Sequence, residues 1–240
     1  MQQKRLAVFA YNFPHKKTQD FLTHLFMHGY EVEAVIAADP VKLTIPPSSI
    51  RSQIRHGAII HPRDVSRRSG ANYYVTKHNS EETCDIVRSS GIDLGIIAGA
   101  RILNRSVIDA FKVGVINLHP GLIPEARGLD AMLWSIYNDL PLGVTTHLID
   151  DKIDAGKIIQ KEVIKIFSDD SIFDLSARLY EKQFDMLVPT IQAAILGEGR
   201  NVVPITRYNR KMPAKLERAT LEKLPSYVRR FAIKAIANEQ

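Results

Sequence analysis

The chain has a single cysteine, Cys84, so no intrachain disulfide is possible and nothing calls for an oxidising compartment. No apolar run approaches the ~20 residues that a membrane-spanning helix needs. Lys4-Arg5 followed by Leu6-Ala7-Val8-Phe9-Ala10 has the outline of a signal peptide. Asn12, Pro14 and His15 break that run too early, and it reads better as a buried first strand. These absences give the expectation of a cytoplasmic protein without stable membrane insertion. Internal repeats and low-complexity tracts are missing. So are a Gly-rich phosphate loop after the first apolar run and a Ser or Cys in nucleophile-elbow context. His119, His147 and Asp154 lack the close helical spacing of a ligand pair, so no metal is expected.

What is present suits one large domain with a short extension. The 240 residues are 45% hydrophobic and 24% charged, enough for a sizeable core and too apolar for global disorder. The charge is unevenly placed. Residues 205–240 hold nine Lys/Arg against three Glu, which accounts for the whole net charge of +6. The division expected is therefore a body, residues 1–200, and a basic extension, residues 201–240. Nucleic acid is not expected as a partner of a body that is neutral overall.

Apolar patterning alternates between strands and helices. Residues 6–11 read as a strand. Phe21, Leu22, Leu25 and Phe26 recur at helical spacing, Gly29 sits where a C-cap glycine would end that helix, and 31–37 reads as a second strand. Such a start is the signature of a parallel α/β sheet. Residues 39–72, with Pro40, Pro46, Pro47 and Pro62, read as an irregular excursion with one short helix at 50–55 and its arginines on a solvated face. Further strands are expected at 73–75, 94–98, 114–118, 143–149 and 158–166. Helices are expected at 80–89, 106–111, 130–138 and 171–196, with Trp134 and Tyr137 in the core. In the tail, Tyr227, Val228, Phe231, Ala235 and Ile236 recur at near-helical spacing among Arg229, Arg230 and Lys234. That basic amphipathic helix suits packing on its own domain, a dimer contact or a membrane surface.

The chemistry concentrates in residues 115–159. A strand runs into Asn117-Leu118-His119-Pro120, and alternate residues of a strand share a face, so Asn117 and His119 point the same way at its C-terminal end. That is where open parallel sheets place ligands. A later strand, 143–149, delivers the polar loop Asp150-Asp151-Lys152-Ile153-Asp154-Ala155-Gly156. An amide, an imidazole and a carboxylate converging on one site suit acyl transfer. Asn117 can donate to a developing oxyanion, His119 can donate to it or shuttle a proton, and Asp154 can orient the imidazole or a water or take the amine's proton. Direct attack by an acceptor amine fits better than a covalent acyl-enzyme. His147, mid-strand, reads as a buried supporting residue, and the side chains of Asp150 and Asp151 as solvated loop charges.

Asn117-x-His119-x-x-x-x-Pro124, Arg127-Gly128, Gly143-x-Thr145-x-His147 and Asp154-x-Gly156 together resemble the formyltransferases that use 10-formyltetrahydrofolate, strongly over 94–166 and more weakly over 1–200. The resemblance implies a Rossmann-like, mostly parallel sheet with helices on both faces, here with a short C-terminal extension. It also implies catalytic positions at Asn117, His119 and Asp154. It gives Arg101-Ile102-Leu103 to packing on the pterin, and the segment with Ile149, Asp150, Asp151 and Ile153 to backbone contacts with the pterin edge. Lys77, Asn79 and Arg127 are candidate acceptor contacts. Family members commonly have Ser-Leu-Leu-Pro after the His, where this chain has Gly121-Leu122-Ile123-Pro124, which removes any acceptor contact made by that hydroxyl.

The expected reaction is formyl transfer to the amine of a nucleotide-linked amino sugar or related amino-sugar acid, with a possible homodimer as in nucleotide-sugar members. The absent phosphate loop and the forty residues after 200, short for a tRNA enzyme's C-terminal barrel, argue for it. The rivals are a formyltetrahydrofolate hydrolase, a formyltransferase acting on methionyl-tRNA or glycinamide ribonucleotide, and a non-catalytic folate- or RNA-binding relative.

Overall fold

The computed structural model describes residues 4–42, 44, 48, 58–150, 156–201 and 208–232. The helix expected at 50–55 lies outside them. Eight strands among the described residues form one sheet: β1 (Leu6–Tyr11), β2 (Val32–Ala38), β3 (Asn72–Val75), β4 (Leu94–Ile97), β5 (Gly114–His119), β6 (Gly143–Leu148), β7 (Lys157–Val163) and β8 (Arg200–Asn201). Their order is β3-β2-β1-β4-β5-β6-β7-β8. β1 to β5 pair in parallel, and β6, β7 and β8 continue the sheet antiparallel. The α/β, mostly parallel fold expected from the strand–helix alternation is what forms.

Strand side chains alternate between two cores, as a period of two requires. Leu6, Val8, Ala10, Leu94, Ile96, Ile116 and Leu118 face one layer, built with α1 (Lys16–Met27), α2 (Pro62–Ser69), α5 (Ala131–Tyr137), α6 (Ile172–Ile195) and α7 (Ala214–Phe231). Ala7, Phe9, Ala34, Ile36 and Val115 face the other, built with α3 (Glu81–Ser89) and α4 (Arg105–Ile108). Helix ends follow their sequence signals. Ser80 accepts the N–H of Thr83 at the start of α3, and Ser171 and Asp174 form a reciprocal capping box on α6. No helix of the described residues is long and apolar enough to cross a membrane.

Four sequence expectations need correction. The excursion after β2 contains α2, started by Pro62 at its first turn and ended by Gly70 in the left-handed region (φ 75°). The seventh strand stops at Val163 instead of running to 166; Ile164 and Ile166 are buried in the core as the chain turns toward α6. Trp134 and Tyr137 are not core residues. Trp134 Nε1 donates to Arg210 O at 2.8 Å and Tyr137 is 37% exposed, because their face of α5 meets the C-terminal segment. Finally, the tail helix begins at Ala214, and an exposed Pro225 inside it interrupts the pattern that sequence reading relies on. The helix packs on its own domain. Tyr227 is 1% exposed and its hydroxyl donates to Leu140 O at 2.7 Å, while Lys223 reaches Tyr137 O and pairs with Asp139.

Candidate active site

β1 lies between β2 and β4, so the strand order reverses there, and the carboxyl ends of β1, β4 and β5 meet where sheets of this kind open a ligand crevice. β4 pairs with β5 only as far as Ile116, so Asn117, Leu118 and His119 project past it. On the other side the antiparallel β6 sets Asn117 opposite His147 and His119 opposite Thr145. Directly opposed residues share a face, so the row Asn117, His119, Thr145, His147 lies on the α3/α4 side of the sheet. The two residues whose alternation was read from sequence are thus brought together. His147 is fully buried, and the Asn117 amide donates to its Nε2 at a long 3.4 Å. One hydrogen of the Asn117 amide is committed to that contact, which fixes which way the amide faces and aims its second hydrogen elsewhere.

His119 is 5% exposed, and its Nε2 lies 2.6 Å from the carbonyl of Ala126. A carbonyl can only accept, so Nε2 carries the hydrogen, and any proton exchange by the ring runs through Nδ1. The loop that supplies this carbonyl is tightly fastened. Thr145 Oγ1 donates to Gly121 O at 2.8 Å and accepts the N–H of Ile123 at 3.0 Å. Gly121 is required there. A Cβ would sit 2.6 Å from Ala126 O, 2.8 Å from Ala131 Cβ and 2.8 Å from His119 Nε2. Further along, Asn209 donates to Arg127 O (2.9 Å) and accepts from Leu129 N (3.0 Å), and a Cβ on Gly128 would lie 2.1 Å from Asn209 O. Asp130 receives Lys211 Nζ at 3.0 Å and the Met212 N–H at 2.8 Å. The segment 208–212 is therefore bound to the loop that covers His119.

The β1 end of the crevice is aromatic and cationic. Tyr11 and Phe13 stack with centroids 5.2 Å apart and planes 6° from parallel, and His15 packs edge-on to both. Burial raises the Tyr11 phenol and lowers His15, the latter helped by the neighbouring Lys17 ammonium. Lys17, in the first turn of α1, reaches to 3.4 Å from Leu118 O, the carbonyl between Asn117 and His119. Burial pushes its ammonium down to about 8.

Other sequence candidates fall as follows. Arg101 is exposed and Ile102 is 59% exposed, whereas Leu103 is 2% exposed and anchors their segment in the α3/α4 core. Asn79 clamps that same segment, its amide donating to Ile102 O and accepting from Asn104 N, both at 2.9 Å. Lys77 is exposed, while Arg127 is 6% exposed. Ile149 is half-buried, its N–H donating to Val115 O at 2.8 Å, and Asp150 is half-buried beside it. Asp151, Ile153 and Asp154 lie outside the described residues. The loop that carries them leaves and rejoins the sheet at one point: a Cβ on Gly156, at φ 98°, would lie 2.2 Å from Leu148 O. Sequence reasoning missed Lys17, the Ala126 carbonyl and the 208–212 segment. Only Lys17 left a signal: a lysine in a first helical turn that contains no acidic residue runs against the helix dipole. No group of three or more His, Cys, Asp or Glu among the described residues could hold a metal ion.

The site thus sets the Asn117 amide and the His119 and His147 imidazoles in one row at the tip of a central strand of an α/β sheet. Residues 28–191 match the formyl transferase model, and the chain belongs to that family. It is 34% identical over 110 residues to the methionyl-tRNA formyltransferase of Thermosynechococcus vestitus, covering 45% of this chain and 33% of that one. It spans about half the length, or less, of the curated relatives it matches. Its fold is that of a sugar N-formyltransferase from Shewanella (18% identity, TM-score 0.58, 87% of this chain and 76% of that one). It is also that of the formyltransferase PseJ from Anoxybacillus kamchatkensis, solved with UDP-4,6-dideoxy-4-formamido-L-AltNAc and tetrahydrofolate (18% identity, TM-score 0.53, 85% and 84%).

Proposed function

We propose that this protein moves a formyl group from 10-formyltetrahydrofolate to the amine of a nucleotide-linked amino sugar. The observation that carries the reaction class is the row of Asn117 and His119 on β5 against Thr145 and His147 on β6. The acceptor reading is supported by the stacked Tyr11 and Phe13 at the β1 end of the crevice, a surface suited to a ring. It is also supported by fold neighbours that act on sugars. The folate reading draws on the exposed Ile102, which offers apolar area beside Arg101, and on the Ile149–Asp150 backbone that follows β6. When bound it supplies the formyl group.

The chain's own residues then have separable tasks. The second amide hydrogen of Asn117 donates to the formyl oxygen as negative charge builds on it. The Ala126 carbonyl holds the His119 ring in one tautomer, with Nδ1 as the nitrogen that gives or takes a proton. Asp154 takes the proton of the attacking amine, directly or through water, as the new C–N bond forms, and that proton passes to the folate nitrogen as its bond to the formyl carbon breaks.

The test is formyl transfer to a panel of nucleotide-linked amino sugars, with formate release and methionyl-tRNA as controls. His119→Ala and Asp154→Asn are each expected to lower transfer at least ~100-fold. Asn117→Ala is expected to lower kcat more than it raises either KM. Near-normal rates in the variants overturn the residue roles. A second reading, methionyl-tRNA as acceptor, has the sequence relatives in its favour. Formylation of the tRNA and of none of the sugars would establish it instead.

A further inference from the structure

We infer that Lys17 is an anion-reading residue at the acceptor end of the crevice, and that it recognises a phosphoryl group of the acceptor. Three observations carry this. First, its ammonium lies against the carbonyl of Leu118, at the tip of β5 between Asn117 and His119 and beyond the last β4 pairing, so it stands at the switch point where ligands enter such sheets. Second, its charge is uncompensated. Among the described residues no carboxylate lies within ion-pair distance of Lys17; its contacts are the Leu118 carbonyl at 3.4 Å and the Phe21 ring at 5.0 Å. The adjacent Lys16 shows the contrast, paired with Asp20 one turn on and set over the Tyr180 ring. An ammonium has three donors, and a single long contact to a carbonyl uses one of them. Third, the position works against the helix. α1 has no acidic residue in its first turn, so a lysine there adds to the positive end of the dipole instead of offsetting it. A local rule broken with only one long hydrogen bond and a ring contact in return is what a functional position shows.

These features converge on an anion. The amino end of α1 and the Lys17 ammonium at its first turn give one sign of potential there. Burial lowers His15, and its Nδ1 lies 2.8 Å from Thr18 Oγ1 at the start of the same helix. The stacked Tyr11 and Phe13 lie next to it. A phosphoryl group linked to a sugar ring fits this pairing of cation and aromatic face. The inference rests on the proposed function for the identity of the acceptor, though anion binding itself requires no catalysis.

The experiment uses the full chain and inorganic pyrophosphate as probe, with malonate as a dicarboxylate control. Binding is read by calorimetry and by melting temperature in wild type, Lys17→Met and Lys17→Arg. The expected result is pyrophosphate binding weakened at least tenfold in Lys17→Met, on the scale of one charge-assisted contact, and largely retained in Lys17→Arg. Equal binding in wild type and Lys17→Met, no binding to either, or binding of malonate alone overturns the inference. If Lys17→Met does not fold, Lys17→Gln and the wild-type comparison of the two anions decide the same question. With a working acceptor, the loss in Lys17→Met should fall on the acceptor's KM and leave the folate's KM unchanged. Pyrophosphate binding that depends on Lys17, in a protein that formylates no sugar, would uphold the inference while removing the amino-sugar reading.

Discussion

Replacing Gly121 by serine, the residue common in the family, tests whether the closed packing around His119 is a property of this chain. A Cβ at 121 would meet Ala126 O at 2.6 Å, Ala131 Cβ at 2.8 Å and His119 Nε2 at 2.8 Å. Two of these are the backbone oxygen and the ring nitrogen of the bond that fixes His119, so the clash falls on both partners of one interaction. The third is a helix side chain that cannot rotate away. Overpacking of this kind costs about 1–3 kcal/mol. Relief by parting Ala126 from His119 sacrifices a buried hydrogen bond, about 0.5–1.5 kcal/mol more. A loss of roughly 2–4 kcal/mol corresponds to about 4–16 °C in a domain of this size, at about 2–4 °C per kcal/mol. Melting of wild type, Gly121→Ala and Gly121→Ser gives the magnitude. Alanine carries the same Cβ without a hydroxyl, so both variants should lose similar stability. The pH dependence of formyl transfer should also shift in both, because the imidazole loses its tautomer-fixing partner. A Gly121→Ser protein as stable as wild type, with an unchanged pH profile, would refute the reasoning: the loop would then be loose enough to absorb a methyl group.

Two further outcomes follow from packing away from the crevice. Asp170 is held below the ordinary carboxylate range by the Arg178 guanidinium, through two bonds of 2.7 and 2.9 Å, with the Phe167 N–H assisting. A depressed folded-state value gives stability that is present above the unfolded value near 3.9 and lost as pH falls through the folded one. Asp170→Asn should therefore melt lower at pH 7, with the gap to wild type narrowing as pH is lowered from about 6 toward 3; a gap independent of pH argues against the pair. Asp130→Ala removes the acceptor for Lys211 and the Met212 N–H, and should cost about 1.5–3 kcal/mol and lower formyl transfer; full activity with lowered stability would mean that the 208–212 segment does not act on the loop.

The parts of this architecture legible in sequence are those set by short periods. Buried strands such as β1 and β4 show as short apolar runs, α3 by the glutamates of its first turn, Glu81 and Glu82, and α6 by its length and the Gly197 that closes it. The same period of two placed Asn117 and His119 on one face, and the Gly143-x-Thr145-x-His147 pattern marked the strand that comes to lie opposite. What remained hidden depends on distant chain. α2 is strongly polar on the outside and stands among prolines, so it gives little apolar periodicity. The α5 face bearing Trp134 and Tyr137 looked like core because the sequence does not disclose that the covering layer is the chain's own C-terminal segment. The Ala126 carbonyl is a backbone group and leaves no mark in composition. Lys17 is visible only as a local inconsistency, a cation at the wrong end of a helix.

The charge asymmetry that suggested a body and a separate tail carries a different meaning once contacts are considered. Lys211 and Lys223, two of the tail's cations, are spent on Asp130 and Asp139 at the two ends of α5. Arg230 reaches Asp139 as well. Three of the tail's nine cations thus answer two carboxylates of residues 1–200, and Tyr227 and Val228 complete the core on that side of the sheet. A path of direct bonds then runs inward from Lys211 through Asp130 to the start of α5, and from Asn209 through Arg127 and Leu129 to the loop whose Ala126 carbonyl holds His119. Each link is short-ranged, and two of them lie at a glycine where a Cβ would obstruct the approach, Gly128 at Asn209 and Gly121 at Ala126. Two glycines at successive close approaches along one path are what a loop needs when it must be held shut from both ends. The C-terminal segment is accordingly tied to the loop whose Ala126 carbonyl meets His119, and Lys211, Lys223 and Arg230 serve it as structural counter-charges.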